Sequence, residues 1–325
     1  MAGQPFRSAL FNKDKQACYK SVSSILKANE LVNLINDLLF SSAAVIYRGD
    51  AELHPICIIN SIKNFIGDNR ESPSKSLLHF AVDYITSFEF RKDDNEILEK
   101  IIREGVVSTA FLGDLEDACQ SGDWNSSETI MAKIFLASDR SRATMDALAE
   151  LALQDTKRNG IFIYHLLRAY QFQERKTDNW VFTKCLFDNL ASHKLKDAHK
   201  QTDRSPNSIR NHYIQAGNIE LFSAIDRIWK GDYVRIRGYR RELSYWIDQI
   251  NINKGIDIDI NDNHGLLLIE PNTFIDSAEN IVQAEKTQNE KAKELVTLEA
   301  IRSLSRSENK QELAILGTRY MELLS

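Results

Sequence analysis

Four histidines offer this chain its most direct route to chemistry: His54, His79, His165 and His212. Each falls at or near the start of a segment whose apolar spacing predicts a helix. Neutral imidazole suits iron and zinc alike, and a carboxylate from Asp50, Glu52 or Asp83 would complete the ligand set. No two histidines stand three or four residues apart as in His-Glu-x-x-His, so their convergence would have to come from the tertiary fold. The plainer alternative is that each imidazole bonds a helix-end backbone group or water.

A second constellation runs from Arg227 to Trp246. Arg235, Arg237, Arg240 and Arg241, with Arg227 and Lys230 before them, are interleaved with Trp229, Tyr233, Tyr239, Tyr245 and Trp246. Guanidinium groups beside aromatic faces suit a phosphate backbone with stackable bases. The preceding run Arg204 to His212 would serve as a short helix presented to a DNA groove. Asp226, Asp232 and Glu242 lie in the same stretch, however, and arginine beside tyrosine or tryptophan is also how helices pack together.

A third pattern is Asp259, Asn261, Asn263 and Glu270, which places oxygen ligands at positions 1, 3, 5 and 12 of a calcium loop. His264 stands where that loop turns on glycine, and Pro271 directly follows Glu270. The alternation of Ile256, Ile258 and Ile260 with polar residues, then the turn-rich Asp262-Asn263-His264-Gly265, reads instead as a β-hairpin over 256–269. No Gly-x-Ser-x-Gly elbow, Gly-x-x-x-x-Gly-Lys phosphate loop or Gly-x-Gly-x-x-Gly fingerprint occurs. Cys57 shares a helical face with His54 but sits in the apolar run Ile56 to Ile59, which reads as core.

The elements that must position these groups are helices. Only 5 prolines and 13 glycines punctuate 325 residues, which favours long helical segments over a many-turned β-fold. Leu31, Leu34, Ile35, Leu38 and Leu39 follow helical spacing, as do Ile59, Ile62 and Ile66, and Leu77, Leu78, Ala81, Tyr84 and Ile85. Ser72-Pro73 and Ser205-Pro206 read as helix starts. Leu313, Leu316, Tyr320 and Leu323 form a stripe suited to docking on another helix or on a partner, with docking within the chain the default. The predicted organisation is a helical body over 1–250, followed by the hairpin and a C-terminal helical segment over 251–325.

Within that body, Arg48 to His54 and Asn159 to His165 share a glycine five residues before a histidine, each leading to a later helix with an aspartate, Asp83 or Asp188. A looser copy begins at Asn211-His212-Tyr213. Such recurrence fits stacked helix pairs of a HEAT-like kind, whose apolar faces are buried against their neighbours; chance recurrence in an α-protein is the alternative. The runs His54-Pro55-Ile56…Asn60-Ser61-Ile62 and His212-Tyr213…Ile219-Glu220…Ile228-Trp229 resemble a histidine-bearing, all-helical region of some bacterial Rieske-type proteins. The resemblance covers residues 30–230 and implies a helical-repeat fold near redox chemistry, with no activity attached. A Rieske cluster needs two Cys-x-His pairs, and this chain has none.

The four cysteines, Cys18, Cys57, Cys119 and Cys185, contain no Cys-x-x-Cys pair and read as buried, reduced thiols. The first 15 residues have no signal-peptide core, and no segment approaches the roughly 20 apolar residues of a membrane span, so a cytoplasmic location and no membrane partner are expected. A net charge of −5 argues against a surface wholly devoted to polyanions. The sequence therefore predicts an all-α, HEAT-like array with one small hairpin, acting as a scaffold or binding protein for a protein or small-molecule partner. The competing expectations are a histidine-ligated, iron- or zinc-dependent oxidoreductase and a nucleic-acid binder using Arg235 to Arg241.

Overall fold

The computed structural model describes residues 5–24, 28–49, 53–105, 110–251, 271–306 and 309–325. Among them the chain is all-α, with extended pairing confined to a single antiparallel bridge between Val45 and Phe90. The hairpin and calcium-loop readings over 256–270, and the carboxylates Asp50 and Glu52, lie outside the described residues.

The first helices are α1 (Pro5–Phe11), α2 (Lys15–Ser23), α3 (Ala28–Ala43), α4 (Pro55–Asp68) and α5 (Lys75–Thr86). There follow α6 (Glu96–Glu104), α7 (Leu112–Ser121), α8 (Trp124–Ala137), α9 (Ala143–Leu153), α10 (Thr156–Phe172) and α11 (Asn179–Ala191). The series closes with α12 (Arg210–Gln215), α13 (Ile219–Lys230), α14 (Ile236–Asp248), α15 (Pro271–Gln283), α16 (Gln288–Leu304) and α17 (Lys310–Leu324). No described helix is long and apolar enough to cross a membrane.

The described residues cluster into two compact units. One draws on Met1–Phe90, Asn207–Ala224 and Asn251–Ser325, the other on Arg91–Pro206 and Ile225–Ile250, with the division falling inside α13.

The first unit is built around α4, which packs against α3, α5, α15 and α16. Its run Pro55-Ile-Cys-Ile-Ile-Asn-Ser-Ile is mostly apolar, and nearly every residue of the helix is buried, Asn60 and Ser61 included, rather than one stripe. The expected stripe of α17 docks inside this unit: Leu313, Leu316 and Tyr320 are buried, and α17 packs on α12 and α16. Arg210 makes a two-pronged ion pair with the buried Glu312 of α17. The start expected at Pro73 falls at Lys75, because the Ser74 hydroxyl accepts the Leu77 amide and caps the helix. Pro206 opens a short 3-10 turn, and α12 follows from Arg210.

The second unit is built around α9, against which α7, α8, α10, α11 and α14 all pack. Every residue from Thr144 to Leu153 is buried. That helix reads Ala-Thr-Met-Asp-Ala-Leu-Ala-Glu-Leu-Ala-Leu, so its central position places two carboxylates, Asp146 and Glu150, in the interior one turn apart. Burying a carboxylate is costly unless it is paired and hydrogen-bonded, and the partners of these two groups define the region of greatest chemical interest.

The two segments that suggested a repeat differ in helical register. His54 precedes α4 as its N-cap, whereas Gly160 and His165 lie in the interior of α10, which begins at Thr156. Asp83 and Asp188 do occupy similar places late in α5 and α11, each paired with a lysine, Lys15 and Lys184.

Candidate functional site

Glu150 is the centre of an ion-pair chain in the second unit. Arg235 donates Nε to one carboxylate oxygen at 2.5 Å and Arg241 donates Nη2 to the other at 2.8 Å. Arg235 also pairs with Glu116 of α7 at 2.5 Å, and Arg241 donates Nε to Glu242 at 2.9 Å. Glu242, 1% exposed, bonds through its second oxygen to His199 Nδ1 at 2.6 Å, and the His199 ring stacks on Tyr245 with centroids 3.8 Å apart. The segment carrying His199, which has no regular secondary structure, is further held to α14 by paired bonds between Thr202 and Ser244.

This geometry explains Gly238. A Cβ there would overlap the Glu150 carboxylate, so any side chain at 238 would displace that carboxylate from the position in which Arg235 and Arg241 hold it.

One turn back along α9, Asp146 meets a different environment. Its carboxylate takes the Tyr239 hydroxyl at 3.3 Å and Arg142 Nη2 at 3.4 Å, both long contacts. Tyr239, fully buried, bonds the Asp146 carbonyl more closely, at 3.1 Å. The Arg142 guanidinium lies 5.9 Å from the Tyr170 ring centroid and 5.8 Å from that of Tyr233. Burial raises the Asp146 carboxyl above its ordinary value, opposed by Arg142, by the Tyr239 hydroxyl and by the Val234 amide. Burial likewise raises the hydroxyls of Tyr170, Tyr233 and Tyr239.

The Asp146 shift carries a pH dependence with a definite sign. A carboxyl whose folded pKa exceeds its unfolded value holds its proton longer in the folded state, so its contribution favours folding below the ordinary value of 3.8. That contribution is lost as pH rises through the raised folded pKa. Asp146→Asn should remove this slope, seen as a flatter curve of urea-unfolding free energy against pH; an unchanged curve would contradict it.

The arginine-rich stretch thus turns largely inward. Arg235 and Arg241 are held by Glu116, Glu150 and Glu242, and Arg240 donates twice to the Trp229 carbonyl with its guanidinium over the Trp229 ring. Arg237 is exposed and has no ion-pair partner among the described residues.

The histidines divide between the units, His54, His79 and His212 in the first and His165 in the second. His54 is buried, accepts the Ile56 amide on Nδ1 at 3.2 Å and packs against Tyr47. His79 lies against Tyr19, whose hydroxyl bonds Asp83 at 2.6 Å. His165 is 2% exposed beside Tyr164, and His212 lies beside Tyr213. Among the described residues no three His, Cys, Asp or Glu side chains are grouped so as to hold a metal ion. All four cysteines are buried thiols outside any disulfide. Burial pushes the Cys18 and Cys119 thiols up to about 11 and Cys185 up to about 12, away from reactive thiolate chemistry.

An open groove of about 390 Å³ in the first unit runs between Arg48, Glu89 and the start of α16. There the helix end is already capped, Thr287 and Glu290 satisfying each other's amides, and Glu89 faces Lys13 at 3.2 Å.

Arg235 and Arg241 stand out in the sequence, with Glu242 as an acid in the same stretch, but their partners Glu116 and Glu150, the His199 that pairs with Glu242, and Asp146 do not. The available signal was two isolated acids four residues apart in an otherwise apolar helix. The chain matches no protein-family model, no curated protein and no solved structure.

Proposed function

We propose that this chain is a helical binding or scaffold protein that holds a protein or small-molecule partner. In this reading its helices act as a HEAT-like stack whose surface does the work. The observation that carries it is the employment of the charged groups best suited to chemistry: Glu150, Glu242, Arg235 and Arg241 link helix to helix around α9. Groups tied up in this way support a rigid framework better than a site that must exchange protons or substrates.

The partner surface is placed at the exposed apolar side chains of the second unit. Ile102 on α6 is 59% exposed and Phe111, the N-cap of α7, is 64% exposed. Large apolar groups left in water so close in sequence are what a partner would cover.

The test is affinity capture with the full chain, after nuclease treatment, beside an Ile102→Asp, Phe111→Asp double variant. A partner retained by the native chain and lost by a folded variant is the expected result. Equal retention by both would reject this surface. Recovery only without nuclease would favour nucleic-acid binding through Arg235, Arg237, Arg240 and Arg241. Stoichiometric iron or zinc in the purified protein would favour a metal-dependent oxidoreductase built on His54, His79, His165 and His212.

A further inference from the structure

The end of α9 that carries Arg142 and Asp146 contains buried polar atoms whose bonding is incomplete. Among the described residues, Arg142 Nε, the Tyr170 hydroxyl and Asp146 Oδ2 are all buried and have no hydrogen-bond partner. Asp146 is 0% exposed and Tyr170 3% exposed. Leaving such a group buried without a partner is unfavourable, and here three are associated with one guanidinium. Two of them, the arginine N–H and the tyrosine O–H, are donors, so what they lack is an acceptor.

The surrounding charge has the matching sign. The Tyr233 hydroxyl lies within electrostatic reach of Arg142, Arg168 and Arg227, with Asp146 the opposing acid. The Arg142 side chain is 33% exposed and Arg168 is exposed, so the positive charge around the buried groups reaches the surface. We infer that Arg142 and Tyr170, within the field of Arg168 and Arg227, form a binding site for a single oxyanion group of the carboxylate or phosphate-monoester class. Arginine supplies the charge-assisted bond and the tyrosine hydroxyl the second donor, an arrangement that recognises an anion's oxygens rather than an apolar body.

This inference does not depend on the Ile102 and Phe111 surface, and the two fail separately: the Ile102→Asp, Phe111→Asp variant should bind the anion unchanged. The experiment is calorimetric titration of the full chain at constant ionic strength, with inorganic phosphate in one arm and succinate in the other. Saturable binding in either arm supports the site, and the tighter arm identifies the class. Tyr170→Phe removes one oxygen and keeps the ring, and should weaken binding about tenfold or more, the loss of one bond to a charged group. Arg142→Gln should abolish binding; if it fails to fold, Arg168→Gln, on an exposed position, should weaken binding through the lost field. Absence of saturable binding in both arms, or unchanged affinity in a folded Tyr170→Phe variant, would overturn the proposal and leave buried water as the partner of these groups.

Discussion

Glu150→Ala is expected to destabilise the protein by about 2–3 kcal/mol, because it leaves Arg235 and Arg241 facing a desolvated interface without the carboxylate they share. Removing one member of a buried pair typically costs about 3–5 kcal/mol; the lower figure reflects the water that reaches the two arginines. Their side chains are 28% and 33% exposed, against 10% for Glu150. Urea denaturation followed by circular dichroism measures the effect. A double-mutant cycle with Arg235→Ala should return a coupling energy of about 1–2 kcal/mol, since the groups are in direct contact. A loss below about 0.5 kcal/mol, the range of an ordinary surface substitution, would show that the pairs are incidental.

Trp180→Ala should have a larger effect, about 4 kcal/mol, for a different reason. Trp180 is among the largest side chains fully removed from solvent, 1% exposed, and lies 5.1 Å from Phe135 between ring centroids. Its indole N–H donates to the Asp94 carbonyl, so truncation both opens a cavity and orphans a backbone acceptor. Trp180→Phe separates these contributions, keeping most of the packing while losing the hydrogen bond, and should cost about half as much or less. Equal costs for the two variants would contradict this account of the site.

What was legible in the sequence follows from the range of the interactions involved. The stripes of α3, α4, α5 and α17 are local patterns, and their apolar positions are buried except Leu323, which is half-buried near the end of α17. The cap of α5 was misplaced by two residues because Ser72-Pro73 and Ser74 offer competing starts, and the choice depends on which hydroxyl meets an amide. Arg235 and Arg241 could be found as a cluster, but their common partner Glu150 lies 85 and 91 positions away. Local spacing cannot pair groups over that distance, and the same arginines read equally well as a nucleic-acid face. His54 was recognisable at a helix start because Pro55 follows it. The helical position of His165 was not, because α10 begins at Thr156 and continues through Gly160. His199 lies in an irregular segment without periodicity, and its pairing with Glu242 becomes visible only when α14 is in place.

The central claim, that this framework binds a partner and that its histidines serve packing and capping, is tested most directly by metal analysis. The full, tag-free chain would be measured by elemental analysis beside a His54→Ala, His165→Ala double variant. The account predicts well under one equivalent of iron or zinc per chain in the native protein, with no metal-linked difference in the variant. Near-stoichiometric iron or zinc that disappears in a folded double variant would contradict it, and would make a histidine-ligated metal centre the function to pursue.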